Sequence, residues 1–244
     1  MHSIKREDLL KAFAPAKELE NKPIKDAVGQ IKSYIYNDFT FRTEKGIKKE
    51  DIKPSIDKTV EDVRDYILQT PNEENQDSFD KKHEKWCREF IEDCNFIVTV
   101  GKAQKVINMA FKYFYCCQDA VKNENAFKHC HMPLDSYTLD WVKTISKSDI
   151  CKKDQAWSKL DEKAYIRIQK HIREHLKENE TYSKLSPFLA EFYIWPEEQW
   201  RRAYTSISKI LKEGKFPTHA SDELDKQAKI IIEAGEKIEH ILEK

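Results

Sequence analysis

The chain has 244 residues, of which 35% are charged, and its 43 basic and 43 acidic side chains give a formal net charge of zero. It contains only 5 glycines and 8 prolines, so it lacks the turn residues of β-sandwiches and barrels, and helices are expected. Its apolar runs are shorter than the ~20 residues of a membrane span, and its first residues lack the apolar core of a signal peptide. We therefore expect a cytoplasmic all-α protein that is not embedded in a membrane.

Apolar residues recur at helical spacing along most of the chain. This periodicity predicts five helices in the first part of the chain: 3–20, 24–36, Pro54 to Gln69, around Trp86 to Ile91, and Ala103 to Cys117. It predicts four more after them: one after Pro133, one that follows Asp161 and ends at about Lys177, one from Pro187 to Gly214, and one from Ser221 to Leu242.

Several breaks separate these helices. Residues 40–46 predict a loop or short strand, and the acidic stretch 72–80 predicts a loop or a lobe boundary. Pro196 is expected to restart the helix that begins at Pro187, and Ser158 with Asp161 predicts a capping box. We expect a monomer with a single helical domain over 1–244, or two lobes of about 1–75 plus the C-terminal helices and about 76–180.

The six cysteines contain no CxxC pair, so reduced and often buried thiols are expected in place of a disulfide framework. A metal site is the alternative interpretation, because soft ligands cluster in one region: Cys116, Cys117, His129, Cys130 and His131. Adjacent cysteines on a helix point in different directions, and the spacing is unlike that of common zinc sites. Core cysteines are the favoured interpretation, and neither a metal nor a cofactor is predicted.

The most informative stretch begins at Gly101, the single glycine between Gly46 and Gly214. A glycine before a helix leaves the backbone bare, so that amides at the helix N-terminus are able to approach a phosphate. In the helix that follows, Lys105 lies in the first turn, on a polar stripe of an otherwise apolar rod. Apolar surroundings disfavour the charged form of a lysine, which makes its amine a better nucleophile. Asp135 lies at the start of the next predicted helix, where the backbone dipole favours an ionised carboxylate.

These residues resemble the helix-hairpin-helix DNA glycosylases, and within them the archaeal 8-oxoguanine glycosylase type, over about 35 of the 244 residues. That family places a glycine turn before a helix with a catalytic lysine, and then a proline, an aliphatic residue and the catalytic aspartate. The corresponding positions here are Gly101, Lys105, Pro133, Leu134 and Asp135. The resemblance implies a helix-hairpin-helix-like element in an all-α fold, with Lys105 and Asp135 as catalytic residues.

The resemblance also implies contacts with DNA and with an extruded base. The residues implied to bind DNA are Gly101, Lys102, Gln104 and Lys112. The residues implied to line the base pocket are His131, Tyr137 and Trp141, because aromatic faces suit a flipped base. The hairpin departs from the family pattern, since it keeps one glycine where two are usual, and Lys102 competes with Lys105 for the place of the nucleophile.

The implied activity is excision of a damaged or modified base that has been flipped out of DNA, which leaves an abasic site. An oxidised purine and a hypermodified phage base fit the same mechanism, so the role is either repair or phage defence. Residues 101–219 carry an excess of basic side chains, as a DNA partner would require. The alternative is a non-catalytic all-α protein- or nucleic-acid-binding module whose binding face is the aromatic cluster from Phe188 to Trp200. A ribonuclease site around His171 and His175 is the weakest alternative.

Overall fold

The computed structural model describes residues 15–38, 48–69, 75–146, 150–151, 154–180 and 182–213, with a few isolated positions outside these ranges. Every regular element in these ranges is helical and none is a strand, which confirms the all-α prediction. Over the same ranges, no helix combines the length and the apolar character needed to cross a bilayer. The predicted loop at 40–46 and the final helix predicted from Ser221 lie outside the described residues.

The elements follow one another in chain order. The α-helices are α1 (Ala16–Leu19), α2 (Ile24–Asp38), α3 (Lys49–Gln69), α4 (Gln76–Asp93), α5 (Val100–Tyr115), α6 (Ser136–Ile145), α7 (Glu162–Glu178) and α8 (Pro187–Glu213). The 3-10 segments are η1 (Ala120–Phe127) and η2 (Trp157–Lys159).

Two helices run through a proline that was expected to bound an element. α3 begins at Lys49, so Pro54 lies within its second turn, and α8 continues through Pro196 without restarting there. A proline inside a helix removes one backbone hydrogen bond and costs about 3 kcal/mol. In α8, Ile194 and Ala203 are buried on either side of Pro196, and this packing outweighs the local cost.

Polar side chains cap the N-termini of α4 and α7. The side chains of Asn75 and Asp161 each accept a backbone N–H of the first turn, at 3.0 and 2.8 Å. α4 therefore begins inside the stretch 72–80 that was predicted as a loop. The capping box predicted for Ser158 with Asp161 is wrong, because Asp161 is itself the N-cap of α7.

The turn between α4 and α5 is the place where the helix-hairpin-helix-like element is predicted. Asn95 and Phe96 have φ values of 50° and 61°, in the left-handed region. The N–H of Phe96 donates to the carbonyl of Ile91 at 2.9 Å, and the N–H of Asn95 donates to that of Glu92 at 2.8 Å, a pattern that ends many helices. Asparagine tolerates this backbone better than most residues, so Asn95 takes the position after the helix that a glycine often holds. Its identity as a helix-hairpin-helix element stays a prediction.

The buried apolar residues form two clusters. The first joins the inner faces of α2 to α5 with η1 and with two phenylalanines of α8. The second joins the segment from Met132 to Leu134 with α6, α7 and, from α8, Ala190 and Ile194. α8 therefore connects the two clusters, and α6 begins where they meet. Residues from both sides of position 75, the predicted lobe boundary, lie in the first cluster.

Candidate active site

Lys105 and Asp135, the two predicted catalytic residues, are in direct contact. The Nζ atom of Lys105 lies 2.9 Å from Oδ2 of Asp135, although 30 residues separate them in the sequence. The two side chains keep 19% and 15% of their surface exposed, so the ion pair is shielded but open on one side. α5 supplies the lysine from its second turn, and the start of α6 supplies the aspartate.

Asp135 is held in place by its role as the N-cap of α6. Its Oδ1 atom accepts the backbone N–H groups of Tyr137 and Thr138 at 2.9 and 3.1 Å. The Thr138 hydroxyl accepts the N–H of Asp135 at 2.9 Å, which completes a capping box. Oδ2 remains for the site, where it accepts from Lys105 and, at 3.0 Å, from the indole Nε1 of Trp195. One carboxylate oxygen therefore fixes the helix and the other faces the lysine.

The carboxylate of Asp135 is ionised at neutral pH. Burial alone would raise its pKa, but the positive charge of Lys105 and the hydrogen bonds from Lys105, Thr138 and Trp195 outweigh that effect and lower the pKa. The site therefore presents a permanent negative charge next to a lysine amine.

Two glutamines hold the extended segment that leads to Asp135. Gln169 of α7 accepts the N–H of Met132 at 3.1 Å and donates to its carbonyl at 2.8 Å. Gln104 of α5 does the same for Leu134, at 3.1 and 2.7 Å. Both glutamines are fully buried. A buried extended segment without a neighbouring strand needs such partners, because unpaired backbone groups in the interior cost free energy.

His131 lies in a buried polar network and does not line an open pocket. Its Nε2 atom donates to Asp80 at 2.8 Å, and its Nδ1 atom accepts from the Tyr165 hydroxyl at 2.8 Å. Burial would raise the pKa of Asp80, but hydrogen bonds from His131 and Gln76 and the charge of Arg173 lower it to about 2. Burial lowers the pKa of His131. The ring is fully buried, so His131 is not open to a ligand in this structure, and its predicted base-pocket role stays a prediction.

The aromatic residues near the site divide into two groups. Tyr137 is half-buried and meets the Trp195 ring edge-on at 5.4 Å between centroids, with the guanidinium carbon of Arg202 at 4.2 Å from the Tyr137 ring. Trp141 packs instead in the second core cluster against His175, away from the Lys105–Asp135 pair, and its predicted base-pocket role stays a prediction. Sequence reasoning missed Trp195 as a site residue, because the aromatic cluster of α8 carries no local signal that it approaches α6.

Gly101 is a packing residue of the α5 N-terminus. Its N–H donates to the carbonyl of Leu160 at 3.2 Å, and a Cβ atom at this position would overlap the carbonyl oxygen of Trp157. The Thr99 hydroxyl, which belongs to the N-cap of α5, donates to the carbonyl of Ser158 at 2.5 Å. The segment around η2 therefore covers the N-terminus of α5, and the predicted phosphate contact at Gly101 stays a prediction that this packing does not favour.

Two other residues predicted to bind DNA are also internal. Gln104 uses its amide within the protein, and Lys112 forms a buried ion pair with Glu191 of α8. Lys102, the fourth predicted DNA-binding residue, is half-buried in the first turn of α5. It stays a candidate.

The cysteines of the region considered for a metal are part of the core. The thiols of Cys116 and Cys117 donate to carbonyls one turn earlier in the chain, at 3.3 and 3.9 Å. Burial raises the pKa of Cys117 to about 12, and it raises that of Cys116 as well. Among the residues that the structure describes, no three His, Cys, Asp or Glu side chains are grouped so as to hold a metal ion.

No protein-family model, curated protein or solved structure matches this chain. An ionised carboxylate in contact with a lysine amine, partly open to solvent and bordered by aromatic rings, suits stabilisation of a developing cation, proton transfer and nucleophilic attack.

Proposed function

We propose that the protein is a DNA glycosylase that flips a damaged or modified base out of DNA and cleaves its bond to the sugar. The contact between Lys105 and Asp135 is the observation that carries this proposal. The resemblance in sequence assigns these two residues to catalysis independently of where the fold places them. The pair is partly exposed to solvent, and the proposal requires that an extruded nucleotide reach it from that side.

Asp135 acts through its charge. As the base leaves, positive charge develops at C1′ of the sugar, and a fixed carboxylate stabilises it. The indole of Trp195 and the first turn of α6 hold the carboxylate, so that little reorganisation is needed during the reaction. Neutralising this residue removes an interaction that is stronger in the transition state than in the ground state.

Two routes lead from this point. In the first, the Lys105 ammonium gives a proton to solvent, and the neutral amine attacks C1′. A C–N bond forms while the glycosidic bond breaks, and the base leaves with the bonding electrons and takes up a proton. Loss of a proton from nitrogen and opening of the sugar ring then give a Schiff base. In the second, water attacks C1′ while the glycosidic bond breaks, and the base leaves with the bonding electrons and takes up a proton from solvent. The proton of the attacking water passes to Asp135, and a plain abasic site remains.

Lys105 is a better candidate nucleophile than Lys102. Its amine is the one hydrogen-bonded to Asp135, whereas Lys102 lies about one turn nearer to the N-terminus of α5. We propose DNA as the partner of a monomeric cytoplasmic enzyme. The class of base that is excised decides between repair and phage defence.

The test is release of free base from DNA. Purified protein is incubated with DNA carrying oxidised purines and, separately, with phage DNA carrying hypermodified bases. Free base is identified by mass spectrometry, and abasic sites are revealed by alkali. We expect release from at least one of these substrates. Absence of free base and of alkali-labile sites from every substrate would overturn the proposal.

A non-catalytic binding module is the second candidate, and one observation favours it. Trp200 and Tyr204 of α8 stack at 5.2 Å with 39% and 55% of their surface exposed. Exposed stacked aromatics suit a partner's apolar or base surface. Binding of DNA or of a protein without base release would support this candidate.

A further inference from the structure

We infer that Gln104 is a positioning residue, whose side-chain amide sets the distance between Lys105 and Asp135. The meaning of this for catalysis rests on the proposed function. The effect of Gln104 on the distance between Lys105 and Asp135 can be measured without any DNA.

Two pairs of consecutive residues face each other in register. On α5, Gln104 precedes Lys105, and on the facing segment, Leu134 precedes Asp135. Gln104 binds both backbone groups of Leu134, at 3.1 and 2.7 Å, while Lys105 binds the side chain of Asp135 at 2.9 Å. The amide therefore joins the two chains at the residues immediately before the reactive pair.

The amide of Gln104 has no freedom to turn. Its Nε2 atom donates to the carbonyls of Leu134 and Gly101, and its Oε1 atom accepts from Leu134 and from Nδ2 of Asn108. These contacts use both donors and both lone pairs of the side chain. Asn108 in turn accepts from Nε2 of His83 at 2.9 Å. This bond fixes the orientation of the Asn108 side chain, and through it that of the Gln104 amide.

The consequence for the site follows from the small tolerance of catalytic geometry. Leu134 is buried and its segment has the glutamine as its backbone partner, so loss of the amide leaves an N–H and a carbonyl to find new partners. The segment must shift to do so, and Asp135 moves with it. A displacement of about 1 Å at a reacting group reduces turnover by roughly 100-fold.

Gln169 provides a matched control. It binds both backbone groups of Met132 in the same way and is equally buried. It differs in two respects, because it lies on α7 and not on the helix that carries Lys105, and because Met132 is three residues from Asp135. A purely structural role predicts the same outcome for both glutamines.

The experiment compares Gln104→Met and Gln169→Met, which keep side-chain volume but remove the hydrogen bonds. Asp135 is followed by the NMR titration of its carboxyl carbon, and Lys105 by its rate of reductive methylation. We expect similar decreases in the urea midpoint for both variants. In Gln104→Met alone, the Asp135 titration moves to higher pH and Lys105 is methylated several-fold faster. If a substrate is known, kcat falls by about 10-fold or more with KM unchanged.

Equal changes in the two variants, or wild-type titration and methylation in Gln104→Met, would overturn the inference. Should Gln104→Met fail to fold, Gln104→Glu and the wild type decide it. Glu keeps the acceptor for Leu134 and Asn108 but loses the donor, so Lys105 should be methylated faster than in the wild type, and a wild-type methylation rate would overturn the inference. In the wild type, the Leu134 amide should exchange slowly with solvent, and rapid exchange would also overturn the inference. If the wild type excises no base, the proposed function fails, whereas the titration and methylation still test the positioning.

Discussion

Lys112 of α5 and Glu191 of α8 form an ion pair that is almost fully removed from solvent, with 6% and 1% of the side-chain surfaces exposed. The Lys112 ammonium also lies 4.4 and 4.6 Å from the ring centroids of Phe13 and Phe192. Trp195 follows Glu191 by one helical turn, so the ion pair fixes α8 where its indole reaches the catalytic candidate Asp135. The seam between α5 and α8 is therefore part of the support of the site.

The buried ion pair makes a prediction about stability. Lys112→Met leaves an uncompensated carboxylate in the interior, and we expect the free energy of unfolding to fall by about 3–5 kcal/mol. Replacing Glu191 by Met as well removes that charge and should restore most of the loss. Urea denaturation of the two variants and the wild type measures both changes. Weaker DNA binding by Lys112→Met at unchanged stability would return this lysine to the role of a DNA contact.

Gly101 and Gly29 make a matched pair of substitutions. Gly101→Ala forces the backbone around Trp157 to move, and we expect a loss of about 1–3 kcal/mol in unfolding free energy. Gly29 lies inside α2, and a Cβ atom added there would have no neighbouring atom within 4 Å. Because alanine favours a helix more than glycine does, Gly29→Ala should stabilise the protein by about 1 kcal/mol. Thermal and urea unfolding test both. A neutral Gly101→Ala would show that η2 does not press on α5, and the phosphate role would need to be considered again.

The buried histidines predict a loss of stability in mild acid. Burial lowers the pKa of His83 and, less strongly, that of His131. Below pH ~6.5, the two histidines are therefore protonated in the unfolded chain but stay neutral in the folded protein. The free energy of unfolding should therefore decrease as the pH falls from 7 to 5, by at most about 1.4 kcal/mol per pH unit for each histidine. Asp80, whose pKa is about 2, adds a further loss between about pH 4 and 2.

Urea denaturation at pH 5, 6, 7 and 8 measures this dependence. His83→Gln should reduce the slope between pH 7 and 5, because one of the two titrations is removed. Constant or increasing stability toward pH 5 in the wild type would contradict the assignment of neutral buried histidines.

The sequence predicted those features whose causes are local. Helical periodicity is set by residues three or four apart, and α2, α5 and α7 are found where that spacing places them. The predicted restart of the helix at Pro196 is wrong, because burial of Ile194 and Ala203 outweighs the local cost of a proline. That burial depends on the tertiary packing of α8.

The sequence predicts those site residues whose chemical type and place in the chain both indicate a function. Lys105 and Asp135 were selected by residue type and by their places near helix starts. Gln104 is implied to bind DNA by the resemblance alone, and the sequence does not show that Leu134 needs a buried partner. Gly101 was assigned to phosphate because a bare Cα serves a ligand and a neighbouring backbone equally well. Trp195 depends on how α8 crosses α6, which no local pattern records.

The contact between Lys105 and Asp135 makes the central claim testable with one pair of variants. Asparagine caps helices nearly as well as aspartate, so Asp135→Asn should fold while losing the charge. Asp140→Asn is its control, because Asp140 is a more exposed carboxylate of the same helix, paired with Lys143 at 3.3 Å and with Arg202 at 2.5 Å.

The most direct measurement is the single-turnover rate of base release by the wild type, Asp135→Asn and Asp140→Asn on one modified-base DNA. We predict a decrease of at least about 100-fold for Asp135→Asn, as expected for loss of a charge that stabilises the transition state, and a rate within about two-fold of the wild type for Asp140→Asn. Equal rates for the wild type and a folded Asp135→Asn would contradict the account.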